Sequence, residues 1–189
     1  VLDNFAQWIP IIRALNIQGL KKKHLDRINQ KINEGKDIEM NLELSKDIQA
    51  LGSMDIKKFT SDIEEISDIA GKEFQNETLL ANMKKEWEPL RFECKEHKDT
   101  FILDGEATEM IQVVLDDHLI KTQTMKGSPY AQPFIEEILE WEKVLDRTQN
   151  FLDYWIKVQQ TWRYLEPVFS SEDLMNQMRQ HGTIFREVD

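Results

Sequence analysis

The chain of 189 residues contains little that interrupts regular structure, with only 7 glycines and 5 prolines. Such a content excludes collagen-like and low-complexity chains. Apolar runs are only a few residues long, and no charged start precedes an apolar signal core. Neither a membrane span nor a secretory signal is therefore predicted. The hydrophobic content of 40% is enough to bury a core, in one domain or in a pair of subdomains.

Cysteine is nearly absent as well. The single Cys94 excludes an internal disulfide and favours a reducing compartment. We predict that this side chain packs as a small buried hydrophobe. The sequence still has an ordered composition at Val1 and at Asp189, and we interpret the chain as an excerpt from a longer polypeptide.

Positive charge is in short supply, because 24 Lys and Arg face 35 Asp and Glu, which gives a net charge of −11. The first 36 residues carry +4, whereas residues 37–120 carry −12. We therefore expect neither nucleic acid nor a membrane as a partner. The basic cluster formed by Lys21, Lys22 and Lys23 is either a solvated helix face or an electrostatic dock for an acidic protein surface.

Nucleotide-binding and catalytic motifs are missing. Gly35-Lys36 and Gly71-Lys72 resemble the end of a phosphate-binding loop. That loop needs another Gly five residues earlier and a Ser or Thr after the Lys, and neither site has either one. No Ser or Cys lies in a nucleophile-elbow context. We predict no catalytic residue and no bound cofactor within this chain.

Metal ligands do not converge either. Asp116, Asp117 and His118 are consecutive, and side chains of consecutive helical residues point about 100° apart. We interpret Asp117 and Lys121 as an i, i+4 surface pair. The four histidines lack ligand spacing, so we predict no metal site.

Helical periodicity dominates and predicts a mainly α, elongated helical bundle with one short β-hairpin. The predicted organisation is an N-terminal helical bundle over 1–88, a β-hairpin over 90–104 and a second helical bundle over 106–189. The first predicted helix begins or kinks near Pro10. Further helices are predicted over Leu20 to Ile32, Phe59 to Trp87 and Met110 to about Met125, with a loop after the last of these. A weaker pattern predicts a short helix from Ser45 to Leu51.

The hairpin prediction rests on a change of period. Leu90, Phe92 and Cys94 alternate with charged residues, which is typical of a strand. We expect these three side chains to face a helix, because a lone hairpin is barely stable in water. A second β-rich run covers 100–103, and the polar residues 96–99 are predicted to form the turn.

The last long helix has the most regular pattern. Apolar residues recur at 4-3 spacing from Phe134 to Trp162, a length of about 45–50 Å, and Pro167 is predicted to end the helix. Ser170 or Ser171 is predicted to cap the next helix, with Glu172 and Asp173 in its first turn.

The segment from Trp141 to Met178 closely resembles the linker region of dynein heavy chains, just before the ATPase ring. The family pattern is matched in order by these groups: Trp141-Glu142, Trp155, Val158-Gln159, Trp162, Tyr164-Leu165-Glu166-Pro167 and Phe169-Ser170-Ser171. Residues 8–25, 70–87 and 114–134 also resemble the family, especially its axonemal members. The resemblance therefore covers nearly the whole chain.

The resemblance implies a mechanical role. The dynein linker is an arched rod of helical bundles that bends and swings across the AAA ATPase ring to produce the power stroke. ATP and Mg would bind in that ring of the parent chain, and the partners would be the ring and other dynein subunits. No direct microtubule contact is implied for this segment. The implied location is the cytoplasm and cytoskeleton, in the axoneme of a cilium or flagellum.

A cluster at the end of the long helix is then interpreted as a packed structural joint between two bundles. Its members are Trp141, Trp155, Trp162, Tyr164, Pro167 and Phe169. We expect Trp155 and Trp162 in particular to be buried.

Two other function classes stay open. One is a non-catalytic, spectrin-like helical adaptor or scaffold that binds a protein partner, and such a bundle would lack the hairpin over 90–103. The other is an enzyme domain, which ATP binding by the chain would favour.

Overall fold

The computed structural model describes residues 7–34, 56–171, 173 and 177–188. The weak helix predicted over Ser45 to Leu51 lies outside these residues, as does Glu172 of the predicted cap. The elements, in chain order, are α1 (Ile9–Leu15), α2 (Lys22–Asn33), a 3₁₀ turn (Ile56–Phe59), α3 (Thr60–Trp87), β1 (Cys94–His97), β2 (Thr100–Leu103), α4 (Gly105–Lys126), a second 3₁₀ segment (Pro129–Phe134), α5 (Ile135–Phe169) and α6 (Arg179–Val188). The predicted mainly α class with one short hairpin is confirmed.

The chain forms two compact units, one of 1–85 with 124–138 and one of 86–123 with 139–189. No helix within the described residues is long and apolar enough to cross a membrane.

The first unit packs α1 and α2 against the start of α3. Its core is rich in isoleucine and comprises Ile11, Ala14, Leu25, Ile28, Ile32, Ile56, Ile63 and Ile66. Pro10 lies in the first turn of α1, where its missing N–H would have no helical partner, so the helix begins there rather than kinking. Gly19 has φ 97, and a Cβ at this position would lie 2.3 Å from Cβ of Phe74. Only glycine fits this turn.

The second unit contains the hairpin. β1 and β2 pair antiparallel, with Cys94 opposite Leu103 and His97 opposite Thr100. The turn is therefore the two residues Lys98 and Asp99, shorter than the predicted 96–99. Lys98 has a left-handed φ of 53, which two-residue hairpin turns require at their first position. The strand begins at Cys94, so residues 90–93 are not part of it.

The predicted burial of Cys94 is wrong. Cys94 is exposed, whereas Ile102 and Leu103 of β2 are buried. The physical reason is that the side chain of Gln159 on α5 bonds the backbone of Leu103 at the end of β2, and this packing leaves the facing Cys94 uncovered. Phe92 does contact a helix through its ring, as the face assignment expected.

We therefore expect Cys94 to react with a thiol reagent in the folded protein almost as fast as a free thiol. The measurement is the labelling rate under native conditions relative to the rate in denaturant. Slow native labelling that speeds up only on unfolding would contradict the exposed position.

Two helix boundaries differ from the prediction. α5 continues through Pro167 to Phe169, so Pro167 lies inside its last turn and does not end it. A proline in a helix removes one hydrogen-bond donor, and near the end of a helix this loss affects a single bond. The loop predicted after α4 contains the 3₁₀ segment Pro129–Phe134, which Ser128 caps by accepting from the Tyr130 amide.

Candidate functional site: the aromatic face of α5

The C-terminal half of α5 carries most of the residues predicted to form a joint. The stripe at 4-3 spacing alternates in burial along the helix. Ile138, Leu145 and Leu152 are fully buried, and the aromatic positions between them and beyond are half-buried. The helix therefore packs through its aliphatic residues, and its aromatic residues lie at the edge of the buried face.

The hairpin lies along this half of α5. At the base of the hairpin, the Phe92 ring lies 6.0 Å from that of Phe151 and 6.3 Å from that of Trp155. At its tip, the His97 ring meets Trp162 edge-on at 5.8 Å. The Lys98 ammonium forms an ion pair with Glu166. Contacts thus extend from residue 151 to residue 166 of the helix.

Gln159 attaches α5 to β2 through hydrogen bonds from its side chain to the backbone of the strand. Its Oε1 accepts a hydrogen bond from the Leu103 amide at 2.7 Å, and its Nε2 donates to the Leu103 carbonyl at 3.4 Å. Both backbone groups of a buried residue are satisfied in this way. Gln159 was on the predicted stripe, but its polar role was not predicted.

We expect Gln159→Leu to lower the free energy of unfolding by about 1–2 kcal/mol, because it leaves the Leu103 amide without a partner. Hydrogen exchange at that amide should accelerate more than exchange elsewhere in the chain. Gln160→Leu is the matched control, since Gln160 is the next residue of the helix and is exposed. Equal effects of the two substitutions would contradict the attachment.

Two carboxylates hold the ends of the hairpin. The Lys98 ammonium beside Glu166 lowers the pKa of that carboxyl below its ordinary value. Asp104, just after β2, accepts from the Ala107 amide at 3.2 Å, and this bond, with the Lys95 ion pair at 3.1 Å, lowers the pKa of Asp104. Both side chains are therefore charged at neutral pH.

The predicted joint does not form one buried cluster. Trp155 and Trp162 are half-buried, so the expectation that they are buried is wrong. Tyr164 is 76% exposed and Pro167 is also exposed. Phe169 is half-buried and stacks on Phe185 of α6 at 5.0 Å. The 4-3 spacing placed Trp155 and Trp162 on one stripe, but it could not show how far a neighbouring element covers that stripe.

Trp141 belongs to a different cluster of the second unit, with Trp87 and His118. Its indole meets that of Trp87 edge-on at 6.5 Å, and its own N–H is buried with no hydrogen-bond partner among the described residues. The Trp87 N–H donates to Nδ1 of His118 at 2.8 Å. Because an indole nitrogen only donates, the proton of His118 is on Nε2, which donates to Glu86 at 3.0 Å.

Sequence reasoning missed His118, whose side chain is fully buried. The sequence does contain a pattern that places His118 on the buried face of its helix. Ile111, Leu115, His118 and Thr122 follow the helical period, and all four are buried on α4. Asp117 and Lys121 form the predicted surface pair at 2.6 Å. No group of three or more metal-capable side chains comes together in the part of the chain that the structure describes.

The basic cluster lies in the first unit, and the chain itself supplies acidic partners for two of its members. Lys21 bonds both carboxylate oxygens of Glu77, at 2.9 Å and 2.7 Å, and Lys23 pairs with Glu73. The buried His24 also bonds Glu73, at 3.0 Å. Lys22 is exposed. Two of the three lysines of the cluster thus pair with carboxylates of α3 within the chain, and docking of the cluster on another protein stays a prediction.

Lys72, of the Gly71-Lys72 pair that resembles the end of a phosphate-binding loop, also has partners within the chain. Its ammonium pairs with Asp68 at 2.6 Å and lies 4.9 Å from the centre of the Tyr130 ring. The hydrogen bond to Asp68 raises the pKa of Lys72. Lys36 of the other site lies outside the described residues.

The sequence matches known proteins along its whole length. The profile of the family described as dynein heavy chain, N-terminal region 2, matches residues 1–189. This chain belongs to the dynein heavy chain family. Human dynein axonemal heavy chain 3 is 39% identical over 191 residues, which cover 100% of this chain. Rat dynein axonemal heavy chain 1 is 35% identical over 94% of the chain, and human dynein axonemal heavy chain 12 is 43% identical over 72%.

The match covers 4% of the length of each of these dynein heavy chains. The chain is consistent with the linker part of a dynein motor.

Proposed function

We propose that this chain is a lever segment of a dynein motor, part of the linker that bends and swings across the AAA ATPase ring during ATP-driven movement along microtubules. The observation that carries the proposal is the hairpin attached along α5. A helix of 35 residues, about 52 Å long, is supported on one side by contacts from residue 151 to residue 166.

The contacts between the hairpin and α5 would make this helix resist bending. A single solvated helix bends gently along its length. Bending α5 away from the hairpin would break the Gln159 hydrogen bonds and separate Lys98 from Glu166. Since each contact adds to the energy of bending, the segment transmits force with little loss.

In this proposal, catalysis takes place outside this chain. ATP and Mg would bind in the ring of the parent heavy chain, and this segment would contribute no catalytic group. Its partners would be that ring and other dynein subunits, in the axoneme of a cilium or flagellum. The axonemal relatives and the family profile support this assignment.

The alternative is a non-catalytic, spectrin-like adaptor. A matched spectrin-like bundle has no place for a hairpin along a helix, and the hairpin is present over Cys94–Leu103. This observation favours the lever.

The test is a distance measurement in the intact heavy chain. A donor dye is placed at residue 94, which is exposed, and an acceptor on the ring. We expect the transfer efficiency to change between the ATP-bound and nucleotide-free states, because a lever moves relative to the ring. A second donor on the ring itself provides the control. An efficiency at residue 94 that is the same in all nucleotide states would favour a static adaptor.

A further inference from the structure

An apolar groove in the second unit lies between α5 and α6 and has a volume of about 710 Å³. Phe169 and Phe185 stack between the two helices. Large apolar side chains on both walls remain exposed. Tyr154 and Val188 are each 70% exposed, Val158 is 58% exposed and Ile184 57%. Exposed apolar residues that form one contiguous surface mark an interaction site.

The dimensions of the groove suit a helix. On α5 its lining extends from Tyr154 to Phe169, which is about 22 Å along the helix axis. Two neighbouring helices present ridges between which the side chains of a third helix fit. An apolar stripe of about four turns would cover this length.

The charges at the groove select one kind of helix. Two basic side chains, Lys157 and His181, line the groove together with the phenol of Tyr154, and no carboxylate lines it among the described residues. The whole chain carries −11, so this basic lining is a local exception. A helix with carboxylates beside its apolar stripe would complement it. A second copy would not, because a two-fold contact places basic rim against basic rim.

We propose that this groove binds an amphipathic helix whose apolar stripe is flanked by Asp or Glu, contributed by the same heavy chain outside these 189 residues. The matched region is 4% of each relative, so nearly all of a heavy chain lies outside it. A segment of the same polypeptide that can reach the groove binds it in an intramolecular step, which favours it over a free partner of equal affinity. The inference rests on membership of the heavy-chain family and is independent of the lever stroke.

The chemistry is tested on the 189-residue chain with two fluorescent helical peptides. They share one leucine stripe and differ only in flanking Glu or flanking Lys. We expect the Glu peptide to bind about fivefold more tightly at low salt, with a preference that shrinks as salt is added. The double substitution Lys157→Glu with His181→Glu should reverse the preference. Equal binding of both peptides, or binding of neither, would overturn the proposal.

Val158→Asp should abolish peptide binding, because it places a charge in the apolar wall. Val113→Asp is the matched control, since Val113 is 64% exposed on α4 and does not line the groove. If Val113→Asp weakens binding equally, the peptide binds elsewhere and the proposal fails.

The source of the helix is tested in the intact heavy chain, with a photo-crosslinking amino acid at position 158 and mass spectrometry of the product. We expect a cross-link within the same polypeptide, to a segment with helical apolar period and acidic flanks. A cross-link to another protein or to a second copy, or no cross-link, would overturn the assignment. Motility is not measured, so failure here is distinct from failure of the lever proposal.

Discussion

Trp162→Ala in an intact dynein heavy chain should slow microtubule gliding much more than it slows ATP hydrolysis. Trp162 meets the tip of the hairpin through the edge-on contact with His97. Removing this half-buried indole should lower the stability of the segment by about 2 kcal/mol, less than the loss at a fully buried Trp. The ring would keep its catalytic groups, so the loss would appear in force transmission.

The measurement compares gliding speed with microtubule-stimulated ATPase rate for the same preparation. Tyr164→Ala is the matched control, because Tyr164 is an aromatic residue two positions along the same helix and is 76% exposed. We expect this control to leave both rates unchanged. Proportional loss of gliding and ATPase in Trp162→Ala, with stability unchanged, would mean that the residue acts on the chemistry of the ring.

His118→Ala should have the largest effect on folding stability. The side chain is fully buried and bonds both Trp87 and Glu86. Its removal leaves a cavity and leaves the N–H of the partly buried Trp87 without its acceptor, for a total loss of about 3 kcal/mol. In a chain of this size that loss lowers Tm by roughly 6–12 °C.

A double-mutant cycle separates the hydrogen bond from the packing. Trp87→Phe removes the donor and keeps an aromatic ring, so the double variant should be less destabilised than the sum of the single changes by about 1 kcal/mol. His181→Ala is the control for losing a histidine at an exposed position. Strictly additive effects would show that the bond from Trp87 to His118 contributes nothing to stability.

Local chemistry along the chain determined the mainly α class, the order of the helices and the presence of a hairpin. Period, caps and breakers act over a few residues, so a sequence displays them directly. The long stripe of α5 followed from this information, as did the expectation that α1 begins or kinks near Pro10. The match of Trp141 to Phe169 with one family likewise needed no coordinates.

Contacts between distant residues were decided only by the tertiary structure. The two-residue turn at Lys98 set the strand register, and the attachment of α5 at Leu103 of β2 left Cys94 exposed where alternation predicted burial. Alternation shows that a strand has two faces, but the neighbouring element decides which strand is covered. Glu73 and Glu77 pair with the basic cluster although they lie about 50 residues away in sequence, and only the packing of α2 against α3 brings these groups together.

The same limit applies to the aromatic stretch. Its spacing fixed one face of α5, but coverage of that face depends on what packs there. The hairpin covers Trp155 and Trp162 in part, and the groove beside α6 leaves Tyr154 and Val158 open. Burial is a property of pairs of surfaces, and periodicity describes only one surface of each pair.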